Sequence, residues 1–325
     1  MSGARREHLL VVGGIHGRVI ERAAASFEIV RVGTVAEALA NAAELADIRA
    51  STSFSVMPAE LIDALPALQI VASFGVGYDG VDAVHAARRG VMVTHTPDVL
   101  TDEVADVTVA LLINTLRELP RAEQWLRQGR WVRDGAYPLT RLTLRGRKAG
   151  IFGFGRIGRA IAQRLEAFGI PVAYHNRKPV PGESRRWHPS LVALAAAVDT
   201  LICVAPGGAA TANAVNAEVL EALGPDGVVI NVGRGSSLDE QALAAALGDG
   251  RIAAAGLDVF ADEPHVPDAL LGLANVCLLP HVASASHHTR NAMADLVVDN
   301  LLSWFANGTA ITPVPETAGL AVTRR

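Results

Sequence analysis

The hexapeptide Gly153-Phe154-Gly155-Arg156-Ile157-Gly158 follows the apolar run Ala149-Gly150-Ile151-Phe152 and leads straight into a helical stretch, Arg159 to Phe168. Few folds accept a strand, a glycine turn and a helix in that order. The first glycine permits the tight turn, the second lets a ligand approach the backbone, and the third lets helix and strand pack closely. Free amides at the helix start suit a pyrophosphate. In a chain with 30 glycines the six residues alone carry little weight, and the flanking strand and helix supply the rest. The segment predicts a dinucleotide-binding unit with Gly153, Gly155, Arg156, Ile157 and Gly158 on the cofactor.

The next apolar run, Pro171-Val172-Ala173-Tyr174, ends where an NAD-preferring unit carries an acid for the ribose 2′-hydroxyl. Here the sequence is His175-Asn176-Arg177-Lys178, with no carboxylate and two cations. Arg177 is suited to a paired contact with phosphate oxygens. Asn176, Arg177 and Lys178 therefore predict a 2′-phosphate site, making NADPH the preferred cofactor and NADH the alternative. The competing reading is a plain solvated turn.

The same rhythm runs through the rest of the chain. Leu9 to Val12, Glu28 to Val32, Leu68 to Ser73 and Val91 to Thr94 read as strands, alternating with helical stretches near Arg18 to Ala25, Thr34 to Leu45 and Val81 to Arg89. Such alternation predicts α/β architecture with parallel sheets covered on both faces. Thr101 to Leu116 reads as a buried helix with Asp102 and Glu103 at its positive end. After the Gly- and Arg-rich segment Arg127 to Gly150, a second series runs to about Pro280, followed by a long helix from about Ser286 to Phe305. At about 150 residues per domain, 325 residues make two. The last helix has no place in the second unit and is returned to the first. The expectation is two Rossmann-like, doubly wound parallel-sheet domains, with a cofactor domain at 101–285 inserted into a discontinuous substrate domain at 1–100 and 286–325.

Composition narrows the function. The chain is 50% apolar and 19% charged, as a globular protein should be. A net charge of −4 argues against a nucleic-acid or anionic-membrane footprint. No apolar run reaches the roughly 18 residues of a membrane span, and the polar start Met1 to His8 has no signal-like apolar region after it. A cytoplasmic protein is expected. Cys203 and Cys277 sit in apolar runs and read as small hydrophobes. No His, Cys and acid spacing makes a ligand set; His287 and His288 read as a solvated helix end, and no metal is expected.

Three further segments end apolar runs with chemistry-bearing residues: Val228 to Gly233 leads to Arg234, Ala255 to Phe260 leads to Glu263, and Val276 to Pro280 leads to His281. Ligands of open α/β sheets bind at such carboxyl ends. Singly, the Arg reads as a surface ion-pair partner, the Glu as a solvated turn and the His as a loop hydrogen-bonder. Together, in this order after the glycine turn, and with the loop Ser73-Phe74-Gly75-Val76-Gly77-Tyr78-Asp79 before it, they resemble the D-isomer-specific 2-hydroxyacid dehydrogenases, and within them the glyoxylate/hydroxypyruvate reductases.

The resemblance covers nearly the whole chain and implies a flavodoxin-like substrate domain and reduction of a small 2-oxo acid to a D-2-hydroxy acid. It implies that Arg234 binds the substrate carboxylate and polarises the carbonyl, that His281 donates the proton, that Glu263 pairs with His281, and that the amides of Val76 and Gly77 hold the carboxylate. It further implies cofactor contacts from Thr108, Pro206, Thr211, Val232 and Asp258. Two departures stand out. Pro206-Gly207-Gly208-Ala209-Ala210-Thr211 is smaller and less polar than the family's usual Pro-Leu-Thr-Pro-Glu-Thr, and Ser286 stands where many members have Thr. Ser53-Phe54 and Phe74 are expected on the substrate side. The resemblance also implies a homodimer through the cofactor domains, with Trp131 either reaching the partner's pocket or packing in the interface. The alternatives are an NAD-dependent D-2-hydroxyacid or phosphoglycerate dehydrogenase, and a non-catalytic nucleotide-sensing binder like the corepressors of related fold.

Overall fold

Short apolar runs alternating with helices leave every strand parallel to its neighbours. The computed structural model describes residues 6–54 and 56–320; residues 1–5, 55 and 321–325, which fall within the expected extents of the first domain, lie outside the described residues. The strands are β1 (Glu7–Val12), β2 (Phe27–Val32), β3 (Ala50–Ser53), β4 (Ile70–Ser73), β5 (Met92–Thr94), β6 (Ala149–Phe152), β7 (Val172–His175), β8 (Arg186–Trp187), β9 (Thr200–Cys203), β10 (Val228–Asn231), β11 (Ala254–Leu257) and β12 (Val276–Leu278). They form two parallel sheets, one of five strands in the order β2-β1-β3-β4-β5 and one of seven in the order β12-β11-β10-β9-β6-β7-β8. The chain divides into two compact units, 1–100 with 286–325, and 101–285.

In the first unit the sheet reverses its winding between β1 and β3. Leu10, Val12, Val71 and Val93 from the strands pack with Leu61, Ile62 and Ala86 from the helices. The helix His287–Asn307 belongs here. Ser286 caps it, its hydroxyl accepting from the Thr289 amide, and Asp295 on it takes a two-pronged contact from Arg18 of the helix Gly17–Ala23, at 2.6 and 3.0 Å. Arg22 adds a 2.8 Å contact to Asp299.

The second sheet reverses between β6 and β9, the point at which a ligand crevice forms in this topology. Its helix Thr101–Arg117 lies against β11, where a Cβ on Gly256 would meet the Thr115 hydroxyl at 2.5 Å. The structure adds elements that periodicity missed: β3, β8 and the helices Ala59–Ala64, Leu119–Arg127 and Arg130–Asp134. The helix expected from Thr34 to Leu45 is shorter, Val35–Ala40, because Asn41 ends it and turns follow. No helix among the described residues is long and apolar enough to cross a membrane.

Candidate active site

Gly153 turns the chain out of β6 at a φ of +98°, and a Cβ there would lie 2.5 Å from backbone atoms of Ala205. Only glycine lets this turn lie against the exit of β9. Gly155 is the opposite case, with nothing within 4 Å of where its Cβ would be. The helix Arg156–Ala167 starts beside that open face with no side-chain cap, and the first amides of an α-helix find no partner within the helix itself. Ile157 is half-buried and Gly158 buried in the first turn. An open backbone face, uncapped amides and a tight glycine turn fit a dinucleotide pyrophosphate.

Asn176 joins this turn to the end of β7. Its Oδ1 accepts from the Phe154 amide at 2.7 Å and its amide nitrogen donates to the Phe154 carbonyl at 3.3 Å. Arg177 and Lys178 follow, both exposed and neither with a hydrogen-bond or ion-pair partner among the described residues. Thr211 bonds within its own loop, donating to the Pro206 carbonyl at 2.7 Å, and Pro206 is exposed. Thr108 is buried, its hydroxyl donating to the Val104 carbonyl one turn back at 2.6 Å. Val232 is buried at the exit of β10.

Three neighbouring strands of the second sheet, β10, β11 and β12, carry the remaining residues. Beyond β10, Arg234 is fixed from its backbone outward. Its carbonyl accepts from Asn231 Nδ2 at 3.0 Å and Ser237 Oγ at 2.7 Å, and its guanidinium reaches the Gly233 carbonyl at 2.8 Å. The next residue, Gly235, packs so tightly that a Cβ would lie 1.8 Å from the Phe260 carbonyl carbon. The Arg234 turn thus abuts the loop that follows β11.

That loop holds Glu263. One oxygen accepts from the Phe260 amide at 3.1 Å, and the other meets His281 Nδ1 at 2.7 Å. A carboxylate held by a backbone amide fixes the imidazole by Nδ1, and Nε2 has no hydrogen-bond partner among the described residues; the His281 side chain is 45% exposed. His281 has a φ of +52°, a left-handed conformation that few non-glycine residues adopt. Asp258 maintains that backbone. Fully buried, it accepts from the amides of Val282 and Ala283 at 2.7 and 2.9 Å, while its carbonyl accepts from the His281 amide at 2.8 Å. Burial pushes the Asp258 carboxyl above its usual range, against the two amides that stabilise its charge.

Sequence reasoning missed Glu240, Asn231 and Ser237. Glu240 accepts from the Ala261 amide at 2.8 Å, anchoring the loop between Phe260 and Glu263, and burial raises its carboxyl, with Asp262 and Glu263 adding repulsion. Its signal in the sequence was only its place after the helix cap Asp239. Both cysteines are free and buried, and burial pushes the Cys203 thiol up to about 12.

In the first unit, Val76 and Gly77 occupy the loop after β4. The Val76 carbonyl accepts from His95 Nδ1 at 2.9 Å, and the Gly75 carbonyl from the Thr96 amide at 2.8 Å. Beside this loop stands an aromatic group: Phe54 and Phe74 have centroids 4.8 Å apart, His16 stacks on Phe74 at 5.9 Å, and the Arg290 guanidinium is 5.8 and 5.9 Å from the two phenyl rings.

Residues 109–283 match the family model described as D-isomer specific 2-hydroxyacid dehydrogenase, NAD binding domain. A hydroxyphenylpyruvate reductase of Plectranthus scutellarioides is 48% identical over 256 residues, 79% of this chain and 81% of the relative. A glyoxylate/hydroxypyruvate reductase A of Arabidopsis thaliana is 47% identical over the same shares. Among solved structures, an NADPH-dependent glyoxylate/hydroxypyruvate reductase of Sinorhizobium meliloti, in complex with NADP and malonate, superposes with a TM-score of 0.93 at 59% identity, covering 98% of this chain and 99% of that one. The chain belongs to the D-isomer specific 2-hydroxyacid dehydrogenase family.

Proposed function

We propose that this protein is an NADPH-preferring reductase that converts a small 2-oxo acid, of the glyoxylate or hydroxypyruvate type, into a D-2-hydroxy acid. The observation that carries the reading is the 2.7 Å contact of His281 Nδ1 with Glu263, on the strand exits beside Arg234. In a unit whose glycine turn suits a dinucleotide, a fixed guanidinium and a half-exposed imidazole held through Nδ1 are the two groups that a carbonyl reduction requires.

The reduced nicotinamide supplies a hydride to the carbonyl carbon when bound. Arg234 holds the substrate carboxylate and stabilises charge building on the carbonyl oxygen. His281 delivers the proton from Nε2 to that oxygen, so that one hydride and one proton complete the alcohol. Glu263 keeps the imidazole oriented and stabilises its charged form. The amides of Val76 and Gly77 are assigned to the carboxylate, with Phe54 and Phe74 on the substrate side. Gly153, Gly155, Arg156, Ile157 and Gly158 take the pyrophosphate, and Asn176, Arg177 and Lys178 the 2′-phosphate. Pro206, Thr211 and Val232 complete the cofactor surface, with the fully buried Thr108 and Asp258 supporting it from behind. On this reading 101–285 is the cofactor domain, and 1–100 with 286–325 the substrate domain.

The proposed assembly is a homodimer through the cofactor domain, supported by the exposed Trp131, Val132 and Leu139. A cytoplasmic setting suits the two unpaired thiols and a reaction fed by reduced nucleotide. A panel of 2-oxo acids assayed with NADPH and NADH tests the proposal. Turnover with NADPH is the expected result; preference for NADH would restore the NAD-dependent reading, and nucleotide binding without turnover of any acid would indicate a sensor.

A further inference from the structure

The two cations assigned to the 2′-phosphate sit on a short exposed loop, and such a loop would ordinarily surrender affinity by being ordered on binding. This loop is already held at both ends. The Tyr174 hydroxyl accepts from the Val180 amide at 2.9 Å, closing the chain behind Lys178. The Trp187 indole donates to the Asn176 carbonyl at 3.0 Å, fixing the chain ahead of Arg177. Trp187 is delivered by β8, a two-residue edge strand that pairs with β7 at Tyr174, and the His188 amide closes that pairing on the Tyr174 carbonyl at 2.8 Å.

Tyr174 is itself buried and packed. It is 1% exposed, and its ring stacks on Phe154 with centroids 4.5 Å apart. Phe154 is the residue whose amide and carbonyl Asn176 grips. The anchors therefore join the loop to the glycine turn and leave Arg177, Lys178 and Pro179 exposed between them, the first two being its only charges.

We infer that Tyr174 and Trp187 are positioning residues for cofactor choice: together they clamp residues 176–180 so that Arg177 and Lys178 are set in advance for a nucleotide carrying a 2′-phosphate. The inference rests on the assignment of that loop under the proposed function. Its consequence is selective. A loosened loop weakens a ligand that contacts its tip, whereas a nucleotide with a bare 2′-hydroxyl has little there to lose.

The test is calorimetric titration of the full-length protein with NADP+ and with NAD+, in Arg177→Ala, Tyr174→Phe, Trp187→Phe and the unaltered chain. Each aromatic change removes one hydrogen bond and keeps a ring in place. Tyr174→Phe and Trp187→Phe are each expected to raise the Kd for NADP+ about fivefold, the factor that corresponds to one net hydrogen bond, and to leave the Kd for NAD+ within about twofold. Hydrogen exchange in the free protein gives a second readout: the Val180 amide should exchange faster in Tyr174→Phe while the β6 amides keep their protection. Equal weakening of both nucleotides would reduce the pair to a structural role and overturn the inference. So would unchanged NADP+ binding in both aromatic variants while Arg177→Ala binds it at least tenfold more weakly. If Arg177→Ala itself binds NADP+ normally, the 2′-phosphate assignment fails, and the inference with it.

Discussion

His281 carries two demands, a left-handed backbone and an imidazole held through Nδ1. Asparagine tolerates that backbone better than most residues, so His281→Asn removes the proton donor with little strain. Its turnover should fall about 10²–10⁴-fold, the usual contribution of a positioned acid, while NADP+ still binds. Near-normal kcat in steady-state assays would remove His281 from the mechanism. Glu263 acts through His281, and Glu263→Gln keeps the side chain's shape while losing its charge. The expected result is a lower kcat with an unchanged KM for the nucleotide. Gly235 is a different kind of residue, important for what it lacks. In Gly235→Ala the added carbon would meet the Phe260 carbonyl carbon at 1.8 Å. The loop bearing Glu263 has to move, at a cost of about 1–3 kcal/mol if it accommodates the methyl group. Thermal unfolding should show the loss of stability together with reduced turnover.

Among the elements, the central strand β3 is the one most at odds with its sequence. Ala50-Ser51-Thr52-Ser53 has no apolar alternation, yet all four residues are buried between β1 and β4. The ladder, not the side chains, defines the strand, and the Thr52 hydroxyl is satisfied by the Ala72 carbonyl at 2.7 Å. Thr52→Val should cost about 1 kcal/mol in denaturant unfolding, the value of one net hydrogen bond; an unchanged midpoint would mean that the bond contributes nothing. Most other strands were legible because Val, Ile and Leu runs end at glycine or at polar loops. The glycine turn was legible because its spacing reflects backbone sterics, and the family resemblance rested on residues spaced along the strand exits. What the sequence concealed is support that arrives from a distance. Glu240 reaches the Ala261 amide 21 residues away, and Asp258 the Val282 and Ala283 amides 24 and 25 residues away. No local pattern marks such pairs. The helices Leu119–Arg127 and Arg130–Asp134 are a different case: neither contains a buried residue, and the second is only five residues long, although Leu119, Ala122 and Leu126 do stand at helical spacing in the first.

At the scale of the whole molecule, two properties follow from what is buried and what is left uncovered. His188 is 6% exposed with no hydrogen-bond partner for Nε2, and burial, reinforced by the nearby charges of Arg186 and His175, holds its pKa below the usual histidine range. The unfolded chain binds a proton here near pH 6.5, before the folded one does. Stability is therefore lost as the pH falls below that value, until the folded histidine also titrates. Melting temperatures at pH 7.5 and 5.5 should differ more in the unaltered protein than in His188→Phe. The second property concerns residues 119–139, where Leu126, Trp131, Val132 and Leu139 are 55%, 62%, 96% and 101% exposed. With Leu119, also exposed, five large apolar side chains are bared within so short a segment, which is unusual on a monomer's surface, and burying them yields roughly 25 cal/mol per Å². The surrounding arginines are largely occupied by neighbouring acids, Arg127 with Glu123 and both Arg130 and Arg133 with Asp134, so the segment presents apolar area with little unbalanced charge. A second copy of the chain is the partner proposed for it. Val132→Asp combined with Leu139→Asp places two carboxylates on that face without touching the residues assigned to catalysis. Light scattering should then report a monomer where the unaltered protein reports a dimer, and circular dichroism should report the same secondary structure. A dimer that survives both charges would mean that the chains meet through a different surface.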